Sequence, residues 1–146
     1  MIFIPRTERK IEINTPAKRV FDILDNIGDS GRWNLAVNEM SETSDGNFDV
    51  KSTVGDFILS RTETVKNEIL SLKIEGGIFS AMGYVLSPKG DNTEAVLWGE
   101  FDDIKNEKIL VKAAEVLLEC LKNFAEYLED GGDPEEFDKK QITIAP

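Results

Sequence analysis

Histidine is absent from the 146 residues, and its absence excludes more chemistry than any other feature of the chain. A Ser-His-Asp or Cys-His nucleophile, a histidine general acid and most zinc sites are all ruled out. Any catalysis falls to carboxylates, lysine or tyrosine, and no metal or cofactor site is legible. Cysteine occurs once, so no internal disulfide can form; Cys120 stands in an apolar helical pattern and reads as a buried small hydrophobe rather than a nucleophile. No apolar run approaches the roughly 20 residues of a spanning helix. The start, Met1-Ile2-Phe3-Ile4-Pro5-Arg6, lacks the basic region and long apolar stretch of a secretory signal, so the expected location is the cytoplasm. Basic residues are scarce as well. With 17 Lys and Arg against 28 Asp and Glu, the formal charge is −11 and the pI near 4.5, which repels phosphate backbones and anionic membrane surfaces. Nucleic acid is excluded as an expected partner, and no Lys/Arg cluster exists to bind anionic lipid. The acidity sits in the second half, where residues 74–146 hold 7 basic and 16 acidic side chains.

What remains is a single-domain length with 40% hydrophobic and 31% charged residues, the balance of a globular chain with a sizeable core. One domain spanning 1–146 is expected, with a core of 6–130 and a charged C-terminal tail of 131–146. Arg6 to Ile13 alternates with period two and ends on Ile11 and Ile13, which predicts a first strand. Asn14-Thr15-Pro16 then supplies a cap residue and a proline at the first helical position, predicting a helix to about Asn26 with Ala17, Val20, Phe21 and Leu24 on one face and Lys18 paired with Asp22. Gly28-Asp29-Ser30-Gly31 breaks that helix. Six strands follow, near 37–43, 48–54, 57–66, 69–75, 79–87 and 93–102. The joints between them (Asp45-Gly46-Asn47, Gly55-Asp56, Asn67-Glu68, Gly76-Gly77 and Pro88 to Asn92) are too short for crossovers and imply antiparallel hairpins. Glu107 to Asp130 returns to helical period with Leu110, Ala114, Leu117, Leu121, Phe124 and Leu128 on one stripe, ended by Gly131-Gly132. The tail, closing on Ile142-Thr143-Ile144, is expected to dock.

The order strand, helix, short loop with Trp33, six-strand meander and long amphipathic helix resembles the SRPBCC superfamily, the START-like proteins that include polyketide cyclase/dehydrase-like members. The stretches that carry the resemblance are "IEINTPAKRVFDIL" followed by "RWN", then "NTEAVLWGEF" and "LLECLKNFAEYLE". Within it, "STVGDFILSRTETVKNEILSLKIEGG" followed by "SAMGYVLSP" is most similar to the carbon monoxide dehydrogenase G-like branch. The resemblance implies an α+β helix-grip fold. In it, a curved antiparallel sheet of about seven strands wraps around the C-terminal helix, with one or two short helices after strand one and a cavity between sheet and helix. In that frame Gly28 to Gly31 form a flexible rim and Trp33 is either an aromatic wall of the cavity mouth or a plug that ends the core.

Two strands can be read with either face inward. Odd residues inward would place Phe79, Ala81, Gly83 and Val85 with Ala95, Leu97, Gly99 and Phe101 beneath the helix, a small-residue wall that leaves a void. Even residues inward would place Met82, Tyr84, Leu86, Val96 and Trp98 there and make the core solid. The resemblance favours the odd face, which leaves Met82, Tyr84, Val96 and Trp98 outside as an apolar patch suited to a homodimer, unless the tail or Ile2 to Ile4 covers it. In the strand near 57–66, Phe57, Leu59 and Val65 make the odd set the apolar one and carry Arg61 and Glu63 toward the cavity. There they would pair with each other, or Arg61 would meet the polar end of an amphipathic ligand, or a bulge at Gly55-Asp56 would send both to solvent. The expected ligand site is therefore Trp33, Phe57, Leu59, Arg61, Glu63, Ala81, Gly83, Leu97 and Gly99 beneath Leu117 and Leu121.

Three functions fit this reading. A non-enzymatic binding or carrier protein for a small hydrophobic molecule needs only the cavity. A cyclase-like enzyme needs an inward acid/base pair, for which Arg61, Glu63 and Tyr84 are the candidates. A protein-interaction module, chaperone-activator-like or a redox-enzyme maturation factor, needs a filled core and an exposed patch.

Overall fold

The computed structural model describes residues 4–44 and 46–141. The chain begins with β1 (Arg6–Ile13), α1 (Ala17–Asp25) and a 3₁₀ segment (Ile27–Arg32). The meander follows as β2 (Val37–Ser44), β3 (Asn47–Ser52), β4 (Gly55–Val65), β5 (Ile69–Glu75), β6 (Ala81–Lys89) and β7 (Asn92–Glu100), and α2 (Glu107–Glu129) closes the fold. The seven strands form one curved antiparallel sheet in the order β1-β7-β6-β5-β4-β3-β2, in which every neighbour but β1 is next in sequence. Short turns enforce that order. The β4–β5 joint puts Asn67 at φ 65° and the β6–β7 joint puts Gly90 at φ 64°, left-handed conformations that asparagine and glycine tolerate.

Helix α1 starts one residue later than its sequence suggests. Pro16 is the N-cap, in extended conformation with φ −61° and ψ 148°, and its carbonyl accepts the first helical bonds from Arg19 and Val20. The apolar face of α1 is buried as expected through Ala17, Val20, Phe21 and Leu24, with Ile23 added, and Lys18 reaches Asp22 at 3.4 Å. The Gly28-to-Gly31 stretch, expected as a flexible rim, has local structure of its own. It is wound into the 3₁₀ segment, where the Ser30 hydroxyl donates to the Ile27 carbonyl and Arg32 pairs with Asp29 at 3.0 Å.

Helix α2 lies across the sheet, packed chiefly against β1 and β7. Its two halves meet different partners. Leu118, Leu121, Phe124 and Ala125 are buried in a continuous core with Val20, Phe21 and Leu24 of α1. The described part of the tail docks on this half: Phe137 packs edge-on to Phe124 with ring centres 4.8 Å apart, and Arg32 donates to the Pro134 carbonyl. Lys139 donates to the carbonyls of Asn34 and Val37, tying the tail to the start of β2. Ile2 and the Ile142-Thr143-Ile144 stretch lie outside the described residues. Among those described, no helix is long and apolar enough to cross a membrane.

The face of β6 is the opposite of the one the odd pattern suggested. Lys89 pairs with Asn92 across a two-residue turn, so every odd residue of β6 sits beside an even residue of β7. Paired residues share a face. Met82, Tyr84 and Leu86 therefore lie with Gly99, Leu97 and Ala95 beneath the helix, while Ala81, Gly83 and Val85 lie with Glu100, Trp98 and Val96 on the outside. The two strands cannot both turn their odd residues inward. Gly83 has a different use: a Cβ there would meet the Trp98 ring at 2.5 Å, so the indole lies flat over the glycine on the outer face, with the Arg6 guanidinium 4.6 Å above it.

Candidate functional site

Between the sheet and the first half of α2 lies a cavity of about 120 Å³. Leu59, Leu70, Leu72, Met82, Tyr84, Leu97 and Gly99 form its floor, and Leu110, Ala113, Ala114 and Leu117 form its roof. Small alanines on α2 opposite a glycine on β7 leave the space that larger side chains fill elsewhere. Phe57 and Phe79 meet edge to face at 5.1 Å and close one end. Trp33, 2% exposed, closes another and also borders a separate outer cleft of about 550 Å³ between α1 and the end of α2, so a single indole partitions the two spaces. Wall and packing are one role at this residue.

Of the residues expected at the site, Trp33, Phe57, Leu59, Leu97, Gly99 and Leu117 line the cavity. Ala81 and Gly83 face outward for the reason of parity given above. Leu121 is wholly buried one turn further along the helix, in the filled half. Arg61 and Glu63 do not reach the cavity. A register shift in the β4–β5 ladder falls between them, so Arg61 stands beside Leu72 but Glu63 stands beside outward-facing Ser71. The bulge thus lies well beyond Gly55-Asp56, at the point where α1 ends. Arg61 there bonds the Asp25 carboxylate at 2.6 Å and the Asp25 carbonyl at 3.1 Å, capping the end of α1 in place of any ligand. Glu63 is exposed, and the Arg61–Glu63 pair does not form.

Met82 and Tyr84 are the lining residues that the odd-face reading put outside, and their inward turn splits the expected four-residue patch. Val96 and Trp98 remain on the outer face without them. The signal was present in the two-residue joint Gly90-Asp91, which sets the pairing parity once the joint is known to be that tight.

The cavity is poor in polar atoms. Among the described residues, no Asp, Glu, Lys or Arg lines it. The Asn34 side-chain oxygen accepts from the Ala36 amide and the Ser52 hydroxyl donates to the Gly55 carbonyl, so these two groups are engaged within their own turns. Burial pushes the Tyr84 hydroxyl far above its ordinary pKa of 10, so it keeps its proton. Nearby, burial raises the Cys120 thiol and lowers the Lys139 ammonium. The indole N–H of Trp33 is shielded from solvent and has no acceptor among the described residues.

No protein-family model matches the sequence, and no curated protein does. The structure, by contrast, has many likenesses. A START superfamily protein from Mycobacterium smegmatis superposes with a TM-score of 0.73 at 14% identity, covering 84% of this chain and 98% of its own. The ZhuI aromatase/cyclase from Streptomyces sp. R1128 gives 0.74 at 13% identity, covering 90% and 100%. The di-domain aromatase/cyclase StfQ of the steffimycin biosynthetic pathway gives 0.66 at 12% identity, covering 87% of this chain and 52% of that one.

Proposed function

With the START-like helix-grip fold as its frame, we propose that the protein is a non-enzymatic binding protein that encloses one small hydrophobic molecule between the sheet and the first half of α2. The observation that carries this reading is the cavity itself, an apolar space with no charged side chain among the described residues of its wall. A dry apolar cavity of about 150 Å³ holds benzene, so this one suits a molecule of about one ring. Two of the solved structures of this fold are described as aromatase/cyclases. A reaction of that kind needs a group that gives or takes a proton beside the substrate. Here the ionisable wall residue is Tyr84, held neutral by burial, and Arg61 and Glu63 point elsewhere, which favours binding over turnover.

Native mass spectrometry of the purified protein with and without ethylbenzene tests the reading, supported by the thermal midpoint. The expected result is one bound equivalent and a raised Tm. Gly99→Val should abolish both while the chain stays folded, because a Cβ at Gly99 finds ordinary contacts, the nearest Thr7 Oγ1 at 3.6 Å, and the added methyls occupy the cavity. Absence of any adduct and of any Tm shift with the native protein would sink the reading.

A further inference from the structure

Resting on that reading, we propose that the tail after α2 is a strap that gates the cavity, with Lys139 as its latch, and that the ligand enters and leaves where the strap lies. Past Gly131-Gly132 the chain turns back along α2. Phe137 packs on Phe124 and Tyr127, with ring centres 4.8 and 5.0 Å away, and Lys139 lies near Cys120, one helical turn closer to the cavity roof. The strap thereby bridges the seam where α2 meets the irregular stretch between the 3₁₀ segment and β2. That stretch is cavity wall, since Trp33, Asn34, Ala36 and Val37 all line the space. On the α2 side of the seam, the thiol of Cys120 lies beside the Leu35 amide and the Lys139 ammonium. Lys139 fastens the strap to the wall by donating to the Asn34 carbonyl at 3.1 Å and to the Val37 carbonyl at 2.8 Å.

The other walls are held differently. The floor is a continuous ladder of paired strands from β4 to β7, which cannot part without unzipping the sheet. Across the seam no backbone hydrogen bond is made among the described residues. The strap itself has few buried contacts, because Phe137 and Lys139 are half-buried between the exposed Glu136, Asp138 and Lys140. Such a segment opens at a lower free energy than the domain unfolds. Its two charge-assisted bonds from Lys139 are the hold nearest the cavity, and charge-assisted bonds are the strong ones.

Cys120 is the only thiol of the chain, so its labelling reports the opening of the seam. The test follows two rates in the full-length protein, in Lys139→Met and in Phe137→Ala: labelling of Cys120 by an aromatic disulfide reagent, and exchange of bound ethylbenzene by NMR. Both variants should speed labelling, ethylbenzene association and ethylbenzene dissociation by a common factor, about tenfold for loss of the latch, while Kd stays within about twofold. In the native protein, labelling at low urea should be nearly independent of denaturant, because strap release exposes little surface. A steep dependence matching global unfolding would overturn the proposal, and this holds even should a variant fail to fold. Faster labelling with unchanged ethylbenzene rates would also overturn it, since the strap would then cover the thiol but not the ligand's path. Weaker binding at an unchanged association rate would make Lys139 a brace of the wall and would sink the gate as well. Ethylbenzene that binds the native protein and exchanges at the same rate in both variants would overturn the gate alone, whereas failure to bind at all would defeat the cavity reading together with it.

Discussion

The two halves of α2 lie on one continuous helix yet cover opposite kinds of interior. From Leu118 to Ala125 the helix is buried against α1 and, through Phe124, the docked tail, and the core beneath it is filled, the outer cleft beginning only beyond Phe124 and Leu128. From Leu110 to Leu117 it roofs an open cavity. The difference does not come from hydrophobicity, since leucines face inward in both halves. It comes from what lies opposite. The filled half has a second helix and an aromatic from the tail to interlock with, whereas the open half presents Ala113 and Ala114 toward a strand that carries Gly99. Cavities in such a fold arise where small residues on two elements coincide and no third element is available to plug the gap.

The largest expected effect tests this contrast directly. Leu121→Ala removes a wholly buried side chain from the filled half and should cost about 2–5 kcal/mol of unfolding free energy by denaturant titration. Leu117→Ala, at a half-buried position already bordering empty space, should cost about 1 kcal/mol, because a side chain beside a void has fewer contacts to lose. Equal losses would mean that the two halves are packed alike.

A smaller effect comes from alkali. Tyr84 holds its proton in the folded state above its ordinary pKa of 10 because burial disfavours the phenolate, while the unfolded chain ionises near that value. The stability it contributes is thus fully present below pH 10 and is lost as the pH rises beyond it, by about 1 kcal/mol per pH unit. Unfolding followed between pH 9 and 11.5 should show Tyr84→Phe falling less steeply than the parent. Parallel curves would place the hydroxyl in contact with solvent.

The smallest effect concerns the rim. Arg61→Ala removes a partly exposed ion pair to Asp25 and should change stability by no more than about 1 kcal/mol. Ethylbenzene affinity should not change at all, as measured by calorimetry. A loss of affinity would bring Arg61 back to the cavity and blur the division between charged rim and apolar interior.

Much of this organisation could be read from residue patterns. The alternation of Arg6 to Ile13 and the seven-residue strand Ile69–Glu75 coincide with β1 and β5, and the stripe through Leu110, Ala114, Leu117, Leu121 and Phe124 coincides with α2 to within a residue. These signals are local: a period of 2 or 3.6 and a turn residue are dictated by backbone sterics within a few positions. Six of the eleven expected site residues also line the cavity, Phe57 and Leu59 because their strand alternates and Leu97 because β7 turns its odd face inward.

Tertiary structure decided the rest. Whether β6 turns Gly83 or Tyr84 to the helix depends on pairing across a two-residue turn, and on either face that strand has apolar residues to offer. Whether Arg61 serves a ligand or caps α1 depends on where α1 ends over the sheet, and the face that Glu63 takes depends on a bulge between the two residues. The chain by itself determined which segments are strands and helices and that their apolar faces must be buried. Only the folded arrangement determined where those faces fail to meet, since a void is a property of two surfaces brought together and belongs to neither sequence segment alone.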